Sequence, residues 1–460
     1  MKPLITEQSF YKYLKCPSWL SRDAKSGRDR EALLEKLQDD GLLREKERAL
    51  IANRPFFEIV ADDMDDAARQ TLEAMKRGES TIYQAVLIHN HWVARPDILE
   101  RIEGKSVLGN WYYVACDIKR SSRIKDEYKF QGCFYAELLE KLQKTHPLMG
   151  YIIFPDARAE GYLLADTYAE YRLTLDAIEK ILEGRQEPHF LTSGCKQSPY
   201  FSECVNDTKS CDDLSLLNRV WRTETAALAE HGLGTVSALA AAGVKDLARV
   251  KNLPKDRVTL LHTQAVAMTE ERIIKLGTID LPKADRVLVL DVESDPLRDA
   301  DYLFGVLDVT EKKQTYHSFL AKLPDAEKKA WESFVAFTQK HPDLPIYHYG
   351  AYERDVLRRC AAIHGTDPAI LAALEARLID ILARMREKII FPIPFYSLKD
   401  IAKHLGFRWR STDASGADSV LWYEEWLETG NETLLQDIVD YNEDDVRATW
   451  HVIDWVQKDI

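Results

Sequence analysis

The stretch Asp285-Arg-Val-Leu-Val-Leu-Asp-Val-Glu-Ser294 is a short apolar run that closes on two acids. Its β-branched content and length predict a buried strand that opens an α/β domain. Asp291 and Glu293 stand two residues apart, so both carboxylates emerge on one face of that strand. A strand otherwise so apolar has little reason to end in adjacent acids. Far along the chain, Tyr441-Asn-Glu-Asp-Asp-Val446 belongs to a long helical pattern. Tyr441 and Asp445 lie one turn apart there, on one helix face.

A second acid constellation lies upstream. Asp117-Ile-Lys119 ends the aromatic strand Trp111-Tyr-Tyr-Val-Ala-Cys116, which places the carboxylate and the ammonium on one face. Asp97 follows a proline in the preceding strand. If the two strands pair, Asp97 and Asp117 can share one Mg²⁺, a hard ion that favours oxygen ligands. Lys119 would then orient or activate a water for phosphodiester hydrolysis. The next segment, Gln131-Gly-Cys-Phe-Tyr135 onward, reads as an amphipathic helix with Gln131 and Tyr135 on one face. Lys119, Arg120, Arg123, Lys125 and Lys129 form a local basic stretch, read equally as phosphate contact or solvated loop.

The order Asp97, Asp117-x-Lys119, Gln131-x-x-x-Tyr135 resembles the RecB-like branch of the PD-(D/E)xK nucleases. The resemblance implies a restriction-endonuclease-like domain over 1–213, with Gln131 and Tyr135 lining the site. It also implies an upstream helical acid. Gly41-Leu-Leu-Arg-Glu-Lys-Glu47 offers Glu45 or Glu47, and Glu45 is favoured as a metal ligand. Many such nucleases hold a 4Fe-4S cluster with one cysteine before the core and three after it. Here Cys16 precedes, and Cys195, Cys204 and Cys211 follow, with Ser198 where the usual middle cysteine would stand. Thiolates suit iron–sulfur or zinc alike, and the site would staple the domain rather than catalyse. The other cysteines, Cys116, Cys133 and Cys360, sit in apolar segments as core thiols.

Asp291-x-Glu293 together with Tyr441-x-x-x-Asp445 resembles the DnaQ-like 3′–5′ exonucleases of the ribonuclease H-like fold. That resemblance implies two Mg²⁺ or Mn²⁺ ions held by Asp291, Glu293, a central acid and Asp445, with Tyr441 near the attacking water. The central acid falls on Glu353, in His348-Tyr-Gly-Ala-Tyr-Glu353, where the family favours Asp. Asp355 and Asp380 are the alternatives. Ser397, Leu398 and Gly406 resemble the region before the family's last motif.

The organisation expected is α/β throughout: a PD-(D/E)xK domain at 1–213, a helical helix–hairpin–helix-like linker at 214–278, and a ribonuclease H-like domain at 279–460. The 460 residues exceed one ordinary core. Residues 24–53 and 64–77 read as helical, 191–213 as an aperiodic loop or metal-held segment, and 214–278 as free of strands. The net charge of −13 argues against a general polyanion-binding surface, though phosphate contacts can be local. No apolar run approaches the ~20 residues that span a bilayer, and the first residues lack a signal-peptide pattern, so the cytoplasm is expected. Seven cysteines, an odd number, argue against a disulfide framework. Gly104-Lys105-Ser106 is not a P-loop, since position 99 is Leu rather than Gly, so duplex unwinding would fall to a separate helicase. The function expected is metal-dependent hydrolysis of DNA, single-stranded or from ends, in processing or repair. A nucleic-acid-binding scaffold with decayed sites and an RNA-directed nuclease are the alternatives.

Overall fold

A computed structural model describes residues 4–26, 55–119, 124–154, 157–185, 189–295, 298, 300–411 and 416–459. The chain divides into two compact units, Met1–Asp207 and Thr208–Ile460. Glu45, Glu47, Arg120 and Arg123 lie outside the described residues, as does nearly all of the helical pattern over 24–53.

The first unit contains nine strands among its described residues: β1 (Ile5–Thr6), β2 (Phe57–Glu58), β3 (Thr81–Tyr83), β4 (Leu87–His89), β5 (Trp92–Ala94), β6 (Ile98–Ser106), β7 (Gly109–Ile118), β8 (Met149–Ile153) and β9 (Ala159–Leu163). Six of them form a sheet in the order β2-β3-β6-β7-β8-β9. The aromatic meander read from the sequence is the β6–β7 hairpin, with Ile98 opposite Cys116. Strand β8 runs parallel to β7.

Among the described residues five helices belong to the same unit, α1 (Glu7–Lys15), α2 (Pro17–Ser26), α3 (Met64–Arg77), α4 (Asp126–Gln143) and α5 (Tyr168–Leu182), and α6 (Phe201–Ser210) crosses its boundary. Helix α3 starts where Asp63 accepts from the Asp66 amide and stops at Gly78, whose φ of 75° an L side chain rarely adopts. Helix α4 is less amphipathic than its sequence suggests. All of its residues from Phe130 to Leu139 are buried, because α1, the sheet and α5 enclose it. Helix α6 corrects the reading of 191–213 as aperiodic loop. Its polar sequence carries little apolar period, and burial of Cys204 and Thr208 is its inward signal.

The second unit begins with α7 (Arg222–Ala229), α8 (Val236–Ala240), α9 (Val244–Leu247) and α10 (Lys255–Thr269). An ion pair between Arg257 and Glu224, 2.7 Å long, ties α10 to α7. The segment is helical as read, but it also holds β10 (Ile274–Lys275), which pairs with β16 (Ile389–Ile390). Two residues are too few to show a strand period.

Five strands make the main sheet of this unit: β11 (Arg286–Asp295), β12 (Ala300–Thr310), β13 (Gln314–Leu320), β14 (Ile346–His348) and β15 (Leu378–Asp380). Their order is β13-β12-β11-β14-β15. The first three are antiparallel, and β14 and β15 run parallel to β11. Helices α11 (Glu327–Gln339), α12 (Tyr352–His364), α13 (Pro368–Glu375), α14 (Ile381–Arg386), α15 (Leu398–His404), α16 (Gly416–Thr429) and α17 (Glu432–Asp459) cover it.

The sheet separates two cores, as a sheet covered on both faces requires. Leu288, Leu290 and Val292 of β11 join one core with Phe304, Trp331, Phe334 and Ile438. Val287 and Val289 join the other with Leu307, Tyr347, Val446 and Ile453. The alternation continues past the apolar residues, so Asp291 and Glu293 extend the second face. Helix α17 contributes Leu435 and Ile438 to one core and Val446, Val452 and Val456 to the other. Tyr441 to Asp445 occupy the crossing between them.

Candidate functional site

Asp291, Glu293 and Asp445 each offer a carboxylate oxygen within 4.8 Å of the other two. Strand β11 supplies the first two through its period of two, and α17 supplies the third. Asn442, fully buried one residue after Tyr441, donates from Nδ2 to Asp291 Oδ2 at 2.7 Å. Its Oδ1 accepts from Tyr316 Oη at 2.8 Å. The asparagine is thereby oriented from β13 and holds the first acid of the site.

Burial raises the proton affinity of all three acids, and the charge of Asp445 adds to it for Asp291 and Glu293. Asp291 is driven well above the usual carboxylate range by burial, then by the charges of Asp445, Glu293 and Glu353. Glu293 is pushed up to about 8, first by burial and next by Asp445. Burial likewise raises Asp445, against the indole of Trp409, whose Nε1 donates to Asp445 Oδ1 at 2.6 Å. Three carboxylates crowded in this way either share protons or bind cations. An oxygen-only donor set of this kind fits hard divalent ions.

Tyr441 is buried beside Asp445, and its hydroxyl is raised by burial and by that carboxylate, so it stays protonated. Lys399 Nζ stands 4.9 Å above the Tyr441 ring, and burial lowers its proton affinity. Glu353 does not join the close trio. It is buried on the first turn of α12, with Oε2 3.3 Å from His348 Nδ1. Its charge still reaches Asp291. Of the alternatives, Asp380 Oδ1 is occupied by the amides of Gly350 and Ala383, both at 3.0 Å, as the cap of α14. Asp355 is exposed.

Asn442, Trp409, Tyr316 and Lys399 were not among the residues expected from sequence. Only Asn442 had a signal there, its place beside Tyr441.

Residues 288–457 match the model of the RNase H superfamily. This unit carries an RNase H-like domain. The match covers β11 through α17 and therefore every residue of the acidic centre. No curated protein matches the chain. An RNase H-like domain is a nuclease-like fold of the class that hydrolyses nucleic acid with divalent metals, and its acids here stand where such ions would be held.

The first unit gathers the other set of expected residues. Ile98 pairs with Cys116, so Asp97 lies just outside the ladder opposite Asp117. Asp97 Oδ2 accepts from the Ile118 amide at 2.7 Å. Asp117, buried, forms a 2.8 Å ion pair with Lys119 Nζ, and Tyr135 Oη donates to its Oδ2 at 3.4 Å. Burial opposes the charge on Lys119, but Asp117 and Asp97 outweigh it and hold the ammonium protonated. Gln131 is buried on the same helix face as Tyr135, and its Oε1 has no hydrogen-bond partner among the described residues. Glu7 also escaped the sequence reading. It is buried, pairs with Arg95 Nε at 3.2 Å, and its charge is felt by Tyr135.

Cys16, Cys195 and Cys204 are buried, and the Cys16 thiol lies in hydrogen-bond reach of the other two. Ser18 Oγ bridges Cys16 and Cys204 at 3.0 and 3.5 Å. Cys204 is lowered to about 6, chiefly by Cys16. Cys211 is exposed beyond the end of α6 and falls in the second compact unit. Ser198 is buried, with Oγ accepting from the Tyr200 amide at 3.2 Å. Cys116, Cys133 and Cys360 are buried, as expected of core thiols. Among the described residues no helix is long and apolar enough to cross a membrane.

Proposed function

We propose that this protein hydrolyses DNA from single-stranded ends, with the RNase H-like domain acting as a 3′–5′ exonuclease. The observation that carries this reading is the trio Asp291, Glu293 and Asp445, with Tyr441 one turn from Asp445. Asp291, Glu293 and Asp445 would hold Mg²⁺ or Mn²⁺, with Glu353 contributing charge from α12. Such ions supply a nucleophilic water at neutral pH and offset charge on the phosphorane. Asn442 fixes the Asp291 carboxylate, Trp409 fixes that of Asp445, and Tyr441 offers a protonated hydroxyl to orient a water.

The first unit is proposed as a second nuclease site of PD-(D/E)xK type. Asp97 and Asp117 would share a metal, Lys119 would neutralise developing charge, and Gln131 and Tyr135 would position substrate. Support comes from Asp97, Asp117, Lys119 and Tyr135 meeting where β6 begins and β7 ends, in the middle of the sheet. Cys16, Cys195 and Cys204 are proposed as a thiolate staple for iron–sulfur or zinc, supported by their burial and convergence.

The test is cleavage of single- and double-stranded DNA and of RNA, with Mg²⁺ or Mn²⁺, by wild type, Asp117→Ala, Asp291→Ala and the double variant. Activity that survives in the double variant, or its lack in wild type with every substrate and metal, refutes the reading. A second reading, a nucleic-acid-binding scaffold with one decayed site, draws on Glu353 standing outside the trio. It predicts that only one of the two single variants loses activity.

A further inference from the structure

We propose that Glu327, Cys360 and His364 form a zinc site in the RNase H-like unit, built from none of the residues of the acidic centre. Cys360 and His364 lie one turn apart on the last two turns of α12, so both face the same side. Glu327 is the first residue of α11. Its Oε1 is 3.8 Å from Cys360 Sγ and 3.5 Å from His364 Nε2. Donor atoms of all three lie within 4.8 Å of one another. A tetrahedral zinc with bonds of ~2.0–2.3 Å separates its ligands by roughly 3.5 Å, so these spacings need little adjustment.

The donor chemistry selects the metal. Thiolate, imidazole and carboxylate together suit zinc, whereas Mg²⁺ and Ca²⁺ favour oxygen alone. An independent sign is the imidazole itself. The His364 side chain is only 10% exposed, and its Nε2 makes no hydrogen bond among the described residues. A buried ring nitrogen that makes no hydrogen bond is costly, and a metal would satisfy it.

The surroundings are built to hold the cluster. Trp331, one turn after Glu327, donates from Nε1 to Thr366 Oγ1 at 2.8 Å and pins α11 to the end of α12. Cys360 Sγ donates to Asp301 Oδ2 at 3.1 Å. Asp301, fully buried, also accepts from Arg359 and from Ser294. On zinc binding the Cys360 thiol would release its proton to solvent and form the sulfur–metal bond. Arg359 would keep the Asp301 charge neutralised beside the new thiolate. A water would complete four ligands. The site would clamp the end of α12, whose first turn bears Glu353, to the start of α11.

The full-length protein, stripped with chelator and reloaded with zinc, provides the test by elemental analysis. Because Cys16, Cys195 and Cys204 can hold zinc too, the difference between variants is the readout. His364→Gln and Glu327→Gln should each lose about one equivalent relative to wild type while keeping the far-ultraviolet circular dichroism of wild type. Loading with Co²⁺ should give a thiolate charge-transfer band that weakens in Cys360→Ser. Zinc content in His364→Gln and Glu327→Gln equal to wild type would overturn the proposal, as would a cobalt band indifferent to Cys360→Ser in a folded variant. If Cys360→Ser does not fold, the other two variants decide.

Discussion

Gly305 faces Asp291 across the β11–β12 ladder, and a Cβ placed on it would lie 1.6 Å from Asn442 Oδ1. No rotation relieves such an overlap, because Asn442 is held at both ends by Tyr316 and Asp291. Gly305→Ala should therefore expel the asparagine, release Asp291 and abolish metal-dependent cleavage by this unit. Overpacking of a core site costs roughly 1–3 kcal/mol, so the melting temperature should fall as well. Asp291→Asn makes the comparison, since it should abolish cleavage without that fall.

Trp409→Phe should weaken metal binding without unfolding the protein. The indole N–H bonds the Asp445 carboxylate at 2.6 Å and favours its charged form against the effect of burial. Hydrogen bonds to charged groups contribute about 1.5–3 kcal/mol, which corresponds to roughly ten- to a hundredfold in Mn²⁺ affinity if the bond is lost. Isothermal titration with Mn²⁺ measures it, and an unchanged affinity would remove Trp409 from the account.

Proton and metal should compete at the acidic centre. Glu293 has its ordinary value of 4.5 raised to about 8, mainly by burial. A carboxyl raised on folding contributes stability that is complete below 4.5 and lost as pH rises through about 8. Without metal, the RNase H-like unit should thus lose stability between those limits. Mg²⁺ or Mn²⁺ replaces the protons, so its affinity and its effect on the melting temperature should both increase over the same window. Thermal melts at several pH values, with chelator and with metal, supply the comparison.

Gln131→Met should stabilise the first unit while impairing it. The buried Oε1 of Gln131 lacks a partner among the described residues, and an unsatisfied polar atom costs about 1–3 kcal/mol. A side chain of similar length without the amide removes that cost. If Gln131 positions substrate, cleavage that depends on Asp117 should drop as the melting temperature rises. A variant that is both more stable and fully active would leave Gln131 with a packing role alone.

What could be read from the sequence was local periodicity. The alternation Val287, Val289, Asp291, Glu293 gave the strand and the side on which its acids emerge, and the one-turn spacing of Tyr441 and Asp445 gave the helix. Asp97 and Asp117 could be paired because β6 and β7 are joined by the tight turn at Val107 and Leu108. Contacts between distant segments left no such trace. Trp409 follows α15 and reaches Asp445 only through tertiary packing, and Gly305 looks like an interruption in a strand until Asn442 is seen above it. Helix α6 was missed because its polar composition hides the buried side. The distinction between Glu353 and the close trio was equally invisible, since it depends on where α12 begins relative to β11. Cys360 was recognised as buried, but its proximity to Glu327 requires α11 and α12 to meet.

Because α17 is shared between the two cores, the acidic centre is assembled only when both faces of the sheet are packed. Cleavage by this unit is consequently a reporter of cooperativity. A lesion in either core, however far from Asp445, should extinguish catalysis along the same thermal curve that melts the fold, so activity and structure are lost as a single event.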